Sequence, residues 1–158
     1  LSLHDALPIF SLESRLPLTS ITVMVQKEAA QRLCAQVGTR EAGAITVGVH
    51  YYGEARQLFP VSRGSFMPAP NVDSAVIRLD LHENPHPEGL DEGFFFRMVK
   101  AGFSQRRKAL ANSLASLLGI PKQAVYAALE QAGLAPAARI EQLTMEQLFA
   151  LARILQSA

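Results

Sequence analysis

The chain has 158 residues, which suits one domain, or one domain and part of another, at roughly 100–200 residues per domain. With 49% hydrophobic and 18% charged residues it can bury a core, which excludes intrinsic disorder of the whole chain. The formal net charge of +1 predicts no affinity for nucleic acid by itself. However, residues 93–129 contain six basic and no acidic residues, and the remainder contains nine basic and fourteen acidic residues. Such segregation is typical of a chain in which one part binds a polyanion.

Composition also excludes several other classes of protein. The single cysteine, Cys34, excludes an intramolecular disulfide framework, and the four histidines lack metal-ligand spacing, so we predict no metal site. No apolar run approaches the roughly 20 residues that cross a bilayer. The first residues lack the features of a signal peptide. We therefore expect a reducing, cytoplasmic location without contact to a membrane.

The first half of the chain is typical of a strand-and-helix fold. Residues 1–20 show no clear period. The β-branched run Ile21–Val25 predicts a buried strand, and residues 27–36 predict a helix that stops at Gly38. Three further strands are predicted without a helix between them, at 43–52, 55–60 and 72–81. They predict an antiparallel edge on an otherwise parallel α/β sheet.

The second half has a helical period. Residues 82–93 are polar, acidic and interrupted by prolines, which indicates a linker between domains. Gly119 and Gly133 are predicted to end helices, and Thr144 with Gln147 forms a capping-box pattern. The predicted helices are 94–101, 104–118, 121–131 and 144–156.

The helix predicted at 104–118 carries three of the six basic residues of the segment 93–129, next to one another. Arg106 and Arg107 flank its apolar stripe, and no acidic residue lies nearby in the sequence. Three interpretations remain open: the arginines are solvated and extend past the stripe, they bind phosphate, or they pair with acids such as Asp73 or Asp80 across the domain boundary. The opposite face forms a polar stripe of Gln105, Lys108 and Asn112.

A second candidate site is the loop Gly64–Pro70, which places Phe66 between a glycine and two prolines. Prolines fix φ and cannot donate to a sheet, so the loop stands outside the ladder with a defined backbone. Phe66 either anchors the loop in the core or offers a platform on which a nucleotide base stacks. A proline-rich docking ligand is the weaker alternative, because the spacing is PxP.

Three strings of residues, in this order and spacing, resemble the ribosomal RNA small-subunit adenine dimethyltransferases (the RsmA/KsgA family). They are MVQKEAAQRL at 24–33, FMPAPNVDSAV at 66–76 and AGFSQRRKALAN at 101–112. The string RIEQL at 139–143 is also similar to that family. The resemblance extends from about residue 16 to the C-terminus.

The resemblance implies a fold, a reaction and a set of partners. The fold class is α/β, the C-terminal part of a Rossmann-like methyltransferase sheet (mixed, with an antiparallel edge) over 16–81, then a linker at 82–93 and a small all-α RNA-binding domain over 94–158. The enzyme would transfer methyl groups from S-adenosylmethionine to the amines of two adjacent adenosines near the 3′ end of small-subunit ribosomal RNA, within the assembling small ribosomal subunit. The target adenine must leave its stack to be methylated. The resemblance places Phe66 against that base and assigns RNA binding to Arg97, Lys100, Gln105, Arg106, Arg107, Lys108 and Asn112.

Other family motifs are absent from the sequence. No GxG arrangement and no NLPY string occurs, although the family binds its cofactor and its target amine through such segments. We therefore predict that the chain holds no complete catalytic set, binds no S-adenosylmethionine alone and is inactive by itself. Residues 1–15 match nothing in the resemblance and are interpreted as a leader, either native or foreign. The alternative function is a non-catalytic RNA-binding or ribosome-assembly module.

Overall fold

A computed structural model describes residues 17–85 and 87–158, so the leader interpreted at 1–15 lies outside the described residues. Three strands form one sheet in the order β1-β3-β2: β1 (Ser20–Gln26), β2 (Gly53–Val61) and β3 (Ser74–Leu81). β3 is central and pairs antiparallel with both neighbours. Its alternate residues Ala75, Ile77 and Leu79 are buried, which is the period-2 pattern of a half-buried strand.

The sheet differs from the expected one in its pairing. Among the described residues every strand pair is antiparallel, so the parallel part of the expected mixed sheet is not present there. The strands predicted at 21–25, 55–60 and 72–81 are confirmed with small shifts of their ends. The antiparallel sheet contains β1 in addition to the strands predicted at 55–60 and 72–81. β1 pairs with β3 over its whole length, from Ser20 opposite Asp80 to Gln26 opposite Ser74.

The strand predicted at 43–52 is wrong, because this segment is helical. The helices of the first half are α1 (Lys27–Leu33) and α2 (Ala44–Tyr52). The β-branched residues of α2 favour a strand by propensity, but tertiary burial overrides that preference. Val47 and Tyr51 pack into the core of the helical half, whereas Val49 packs under the sheet. A helix that is buried on two sides lacks the amphipathic period by which sequence patterns identify helices.

Side-chain hydrogen bonds define the start of α2. The Thr46 hydroxyl accepts a hydrogen bond from the amide of Gly43 (2.9 Å) and donates to the carbonyl oxygen of Arg32 in α1 (2.7 Å). Thr46 is fully buried, so both partners compensate for the removal of its hydroxyl from water. One residue therefore begins α2 and ties it to α1.

The second half consists of four helices: α3 (Glu92–Ser104), α4 (Leu110–Leu118), α5 (Lys122–Gln131) and α6 (Met145–Leu155). The capping box predicted at Thr144 is confirmed, with the Thr144 hydroxyl accepting from the amide of Gln147 (3.3 Å). Gly119 follows α4 with φ of 68°, a left-handed conformation that glycine adopts at no steric cost. α3, with 13 residues, is the longest described helix, and no described helix is long and apolar enough to cross a membrane.

The single helix predicted at 104–118 is also wrong. α3 continues to Ser104, and residues 105–109 form a turn before α4 begins at Leu110. Gln105 leaves the helical region with φ of −127° and ψ of 43°, and its carbonyl oxygen accepts from the amide of Lys108 (2.8 Å). The first amide of α4, on Leu110, donates to the carbonyl oxygen of Ala138 (2.8 Å). This contact, distant in sequence, redirects the chain, which is why local periodicity did not reveal it.

The segment predicted as a linker is held at both ends. The amide of His82 donates to the carbonyl oxygen of Tyr52 (2.9 Å), and the Gln156 amide group donates to the carbonyl oxygen of Gly89 (2.8 Å). The amide of Asp91 donates to the Gln156 side chain (2.8 Å). These bonds join the segment to α2 on one side and to the last turn of α6 on the other.

Candidate nucleic-acid interface

The candidate site lies at the end of the sheet where β1 and β2 terminate. Gln26, Ser74 and Val61 lie side by side in the register, so the start of α1 and the loop 62–73 share this edge. The amide of Lys27 donates to the carbonyl oxygen of Asp73 (3.0 Å), which joins the two segments. Open α/β sheets place their functional groups at the carboxyl ends of the strands.

The loop 62–73 is ordered by its own polar groups. The Asp73 carboxylate accepts from the amide of Arg63 (2.9 Å), and the Arg63 guanidinium donates to the carbonyl oxygen of Asn71 (3.2 Å). The Ser62 hydroxyl accepts from the amide of Gly64 (3.2 Å) at the start of the 3-10 turn Arg63–Ser65. Hydrogen bonds therefore close both ends of the loop.

Phe66 follows this 3-10 turn and is half-buried, and the next residue, Met67, is 98% exposed. The loop therefore presents an aromatic ring and an unbranched apolar side chain at the end of the sheet. A half-buried Phe66 is compatible with both interpretations of the sequence, because part of the side chain is covered and part is accessible to solvent.

The basic residues are displayed on a turn and a helix face. The turn at 105–109, called the basic turn, contains Arg107 and Lys108. Both are exposed, and their side chains have no hydrogen-bond or ion-pair partner among residues 17–85 and 87–158. Arg97 and Lys100 lie on the exposed face of α3, which ends at the basic turn. At 1.5 Å per residue, the stripe from Arg97 to the end of α3 is about 10 Å long.

Three further predicted residues lie beside this stripe. Asn112 is exposed in the first turn of α4, and Gln105 is half-buried in the basic turn. Arg106 is paired: its Nε and Nη2 donate to Oε2 of Glu141 (3.0 and 2.6 Å), and Nη2 also donates to the carbonyl oxygen of Arg40 (2.6 Å). The sequence neighbourhood of Arg106 contains no acid, but the fold brings Glu141 from 35 residues away.

The partner of Arg106 is therefore an acid other than the two considered from the sequence. Asp80 instead contacts Arg78 (2.8 Å) and Arg56 (3.8 Å), and Asp73 accepts from the amide of Arg63. Glu141 belongs to the RIEQL string, which carried no assigned role. The one available signal was that an acid occurs within a string shared with the family.

A groove of about 540 Å³ connects the basic turn to the sheet. Gln26 at the end of β1 and Arg106 both line it, so the basic turn and the end of β1 face the same groove, and Gln26 is the register partner of Ser74, just after the loop 62–73. The other side chains and backbone that line the groove come from α1, from residues 41–43 and from the start of α2: Glu28, Ala29, Arg32, Glu41, Ala42, Gly43, Ala44 and Ile45.

Among residues 17–85 and 87–158, no strand passes through a glycine-rich turn into an α-helix, the arrangement by which the family resemblance implies that S-adenosylmethionine is held. β1 passes directly into α1 at Gln26, which has an extended conformation (φ −60°, ψ 147°) and makes no side-chain cap. No glycine lies at this junction to let the backbone approach a ligand. Among residues 17–85 and 87–158, no group of three or more histidine, cysteine, aspartate or glutamate side chains is placed to hold a metal ion.

Solved structures of similar fold define the class of protein. The crystal structure of a dimethyladenosine transferase from Plasmodium falciparum matches 92% of this chain and 60% of its own length, with a TM-score of 0.76 and 24% identity. The crystal structure of the 23S rRNA methyltransferase ErmE matches 98% of this chain and 62% of its own, with a TM-score of 0.67 and 27% identity. The fold is thus similar to that of methyltransferases.

Sequence comparison identifies the family. The profile of the family described as ribosomal RNA adenine dimethylase matches residues 6–157. Proteins called ribosomal RNA small subunit methyltransferase A are 43% identical over 148 residues in Geobacillus sp. (strain WCH70) and 42% identical over 149 residues in Streptococcus sanguinis (strain SK36). Each of these matches covers 92% of this chain and 51% of the relative, so the chain spans about half the length of these relatives. The chain belongs to the ribosomal RNA adenine dimethylase family.

Proposed function

We propose that this chain is the RNA-binding and base-contacting part of an adenine dimethyltransferase that acts on small-subunit ribosomal RNA. The observation that carries the proposal is the groove that Arg106 of the basic turn shares with Gln26, the β1 residue paired with Ser74 at the end of the Phe66 loop. The reaction of the complete enzyme would transfer methyl groups from S-adenosylmethionine to two adjacent adenosines near the 3′ end of that RNA. The RNA partner would be the assembling small ribosomal subunit.

Phe66 would contact the target adenine. A base that leaves its stack loses contact with its neighbours, and an aromatic ring offers a replacement worth about 1–3 kcal/mol. The bonds of Arg63 with Asp73 and Asn71 hold the loop before RNA arrives, so that little conformational entropy is lost when the base binds.

The exposed cations would bind RNA phosphates. Arg107 and Lys108 have no acidic partner among the described residues, and Arg97 and Lys100 extend the same positive stripe along α3. Phosphate contacts of this kind position an RNA without reading its sequence and release counterions. Gln105 and Asn112, beside the stripe, carry amide groups that can donate to phosphate or sugar oxygens.

By itself the chain would not catalyse methyl transfer. Gln26 and Lys27 occupy the strand end where such folds build sites, but we assign them no catalytic role. The absence of a GxG arrangement and of an NLPY string from the sequence supports the expectation that S-adenosylmethionine does not bind to this chain. The same observation favours the second candidate function, a non-catalytic RNA-binding or ribosome-assembly module.

RNA binding can be tested with the 158-residue chain and a stem–loop that carries two adjacent adenosines. Reversal of Arg107 and Lys108 to glutamate is expected to raise the Kd by at least about tenfold. It should also reduce the slope of log Kd against log salt by about two, one for each phosphate contact. The matched control substitutes glutamate for Lys122 and Arg153, which are also exposed. It should leave the Kd and the salt slope near the wild-type values. Equal effects of the two double variants would refute the assigned interface.

The absence of a donor site and the contact of Phe66 with the base are tested separately, and the second test distinguishes the two candidate functions. Calorimetric titration of the chain with S-adenosylmethionine should give no binding heat if the donor site is absent. Measurable binding would overturn that part of the proposal. Substitution of Phe66 by leucine keeps an apolar anchor but removes the ring, and it should change the fluorescence of 2-aminopurine at the target adenine. An assembly module that makes no contact with the base would give the same fluorescence with both proteins.

A further inference from the structure

Arg106 differs from its neighbours in the basic turn because its charge is already compensated. We propose that Arg106 is a positioning residue: together with Glu141 it locks the basic turn against the Arg40 loop and so sets the distance between the phosphate-binding cations and the Phe66 edge. This inference rests on the proposed function, and it divides the Arg106-Arg107-Lys108 run into one structural and two RNA-binding members.

The geometry of Arg106 supports a fixed, structural role. Oε2 of Glu141 accepts from both Nε and Nη2, and Nη2 also donates to the carbonyl oxygen of Arg40. The Glu141 side chain is 19% exposed and the Arg106 side chain 41%, so the carboxylate is largely shielded from water while the guanidinium is partly accessible. Charge-assisted hydrogen bonds of this kind give geometric specificity as well as energy. A phosphate approaching Arg106 would meet the negative charge of Glu141.

The segment 138–142 holds the basic turn at three points. The carbonyl oxygen of Ala138 accepts from the amide of Leu110 just after the turn, and Glu141 binds Arg106 within it. Just before the turn, Ile140 packs so closely on Gly102 that a Cβ on Gly102 would overlap the Ile140 side chain. The turn thus has little freedom relative to this segment.

The Arg40 contact extends this constraint to the sheet. Arg40 lies in the loop between α1 and α2, and α1 starts where β1 ends. Arg106 also lines the groove that reaches Gln26 at the end of β1. Removing the guanidinium would release the basic turn from the part of the molecule that carries Phe66. The RNA could then still find its phosphate ligands but would lose their alignment with the base platform.

The substitution Arg106→Lys separates the two roles. Lysine keeps the positive charge and binds phosphate as a point charge, but it cannot make the forked contacts to Glu141 and Arg40 together. We expect R106K and E141A to weaken RNA binding by about tenfold each, a loss equal to about 1.4 kcal/mol. The salt slope of log Kd should stay at the wild-type value, because no phosphate contact is lost. E141Q, which keeps an acceptor oxygen, should lose less than E141A.

Two further measurements identify a positioning role. The 2-aminopurine signal at the target adenine should move toward that of F66L in R106K and E141A, although Phe66 is unchanged. The double variant R106K/E141A should be no weaker than either single variant, because both remove the same lock. As a control for the arginine-to-lysine change, R56K, at an exposed position of β2 outside the proposed interface, should keep the wild-type affinity and the wild-type 2-aminopurine signal.

The results that overturn the inference are distinct from those that overturn the proposed function. If R106A reduces the salt slope by about one and R106K restores affinity, Arg106 is a phosphate ligand and the inference is wrong. If E141A tightens RNA binding, Glu141 competes with RNA for Arg106, which also refutes it. If the reversal of Arg107 and Lys108 leaves affinity unchanged, the proposed interface fails instead. Thermal melting of each variant, followed by circular dichroism, identifies any variant that loses the fold, and E141Q then supplies the test.

Discussion

Two glycines test the fold, one inside α2 and one just after its C-terminal end. Substitution by alanine is expected to raise the free energy of unfolding at the first position and to lower it at the second. Gly48 lies inside α2, and a Cβ built there meets no atom within 4 Å. Gly53 follows α2 as the first residue of β2, and a Cβ there would overlap the carbonyl oxygen of Asp80 and lie 3.0 Å from Cα of Leu81. Both substitutions to alanine add one methyl group at positions five residues apart.

The magnitudes follow from these surroundings. In a helix interior, alanine is favoured over glycine by about 1 kcal/mol, so G48A should raise the free energy of unfolding by that amount. At Gly53 the obstructing atoms belong to the backbone of β3 and cannot rotate away, so overpacking should cost about 3 kcal/mol. Alanine also restricts the unfolded chain, which offsets about 1 kcal/mol of that cost. The two variants should therefore differ by about 3 kcal/mol, or roughly 6–12 °C in Tm for a chain of this size.

The assay is thermal and urea unfolding followed by circular dichroism at low micromolar concentration, with wild type and both variants compared under the same conditions. The backbone of Gly53 is extended (φ −179°), a conformation that alanine adopts freely, so the expected loss contains no backbone strain. A G53A protein as stable as the wild type would refute the close pairing of β2 with β3 at this point. A destabilised G48A protein would refute the helical assignment of Ala44–Tyr52.

Three further predictions concern other parts of the chain. The hydroxyl of Ser113 is buried in the helical core without a hydrogen-bond partner among the described residues, so S113A should raise the free energy of unfolding by about 1 kcal/mol in urea titration; a lower midpoint would contradict this. Burial raises the pKa of the Cys34 thiol, so iodoacetamide should modify it more slowly than an unstructured cysteine peptide at pH 8. Because the folded protein holds the thiol proton more tightly than the unfolded chain, this group stabilises the fold below the ordinary thiol pKa of about 8.5. That contribution is lost as the pH rises through the raised pKa of the folded state. The C34A variant should not show this loss. Met24 (47% exposed) and Phe59 (53% exposed) lie in one row across the sheet. Among the described residues, β1 has no partner strand on its outer edge. An exposed apolar row beside an open edge favours association, so the chain should self-associate in sedimentation velocity. M24K should reduce that association and L117K, on α4, should not, whereas a wild-type monomer at all concentrations would refute the prediction.

Local chemistry determined many of the elements from the sequence. The strand at Ile21–Val25 and the alternation that makes β3 follow from periodicity, and the start of α6 follows from the Thr144 and Gln147 capping pair. These signals are readable because each depends on residues within about four positions of one another. The strings that carry the family resemblance are equally local, and the family match over residues 6–157 confirms the family that they indicated.

Contacts distant in sequence decided the rest. The segment 44–52 is a helix because two separate cores bury its opposite sides, so no single apolar face marks it in the sequence. The basic run lies in a turn because Ala138 accepts the first amide of α4, and Arg106 is paired because the fold brings Glu141 beside it. Charge and composition thus indicated which segment is basic, whereas only the tertiary structure decided which of its cations remain free, because an ion pair depends on distance in space rather than along the chain.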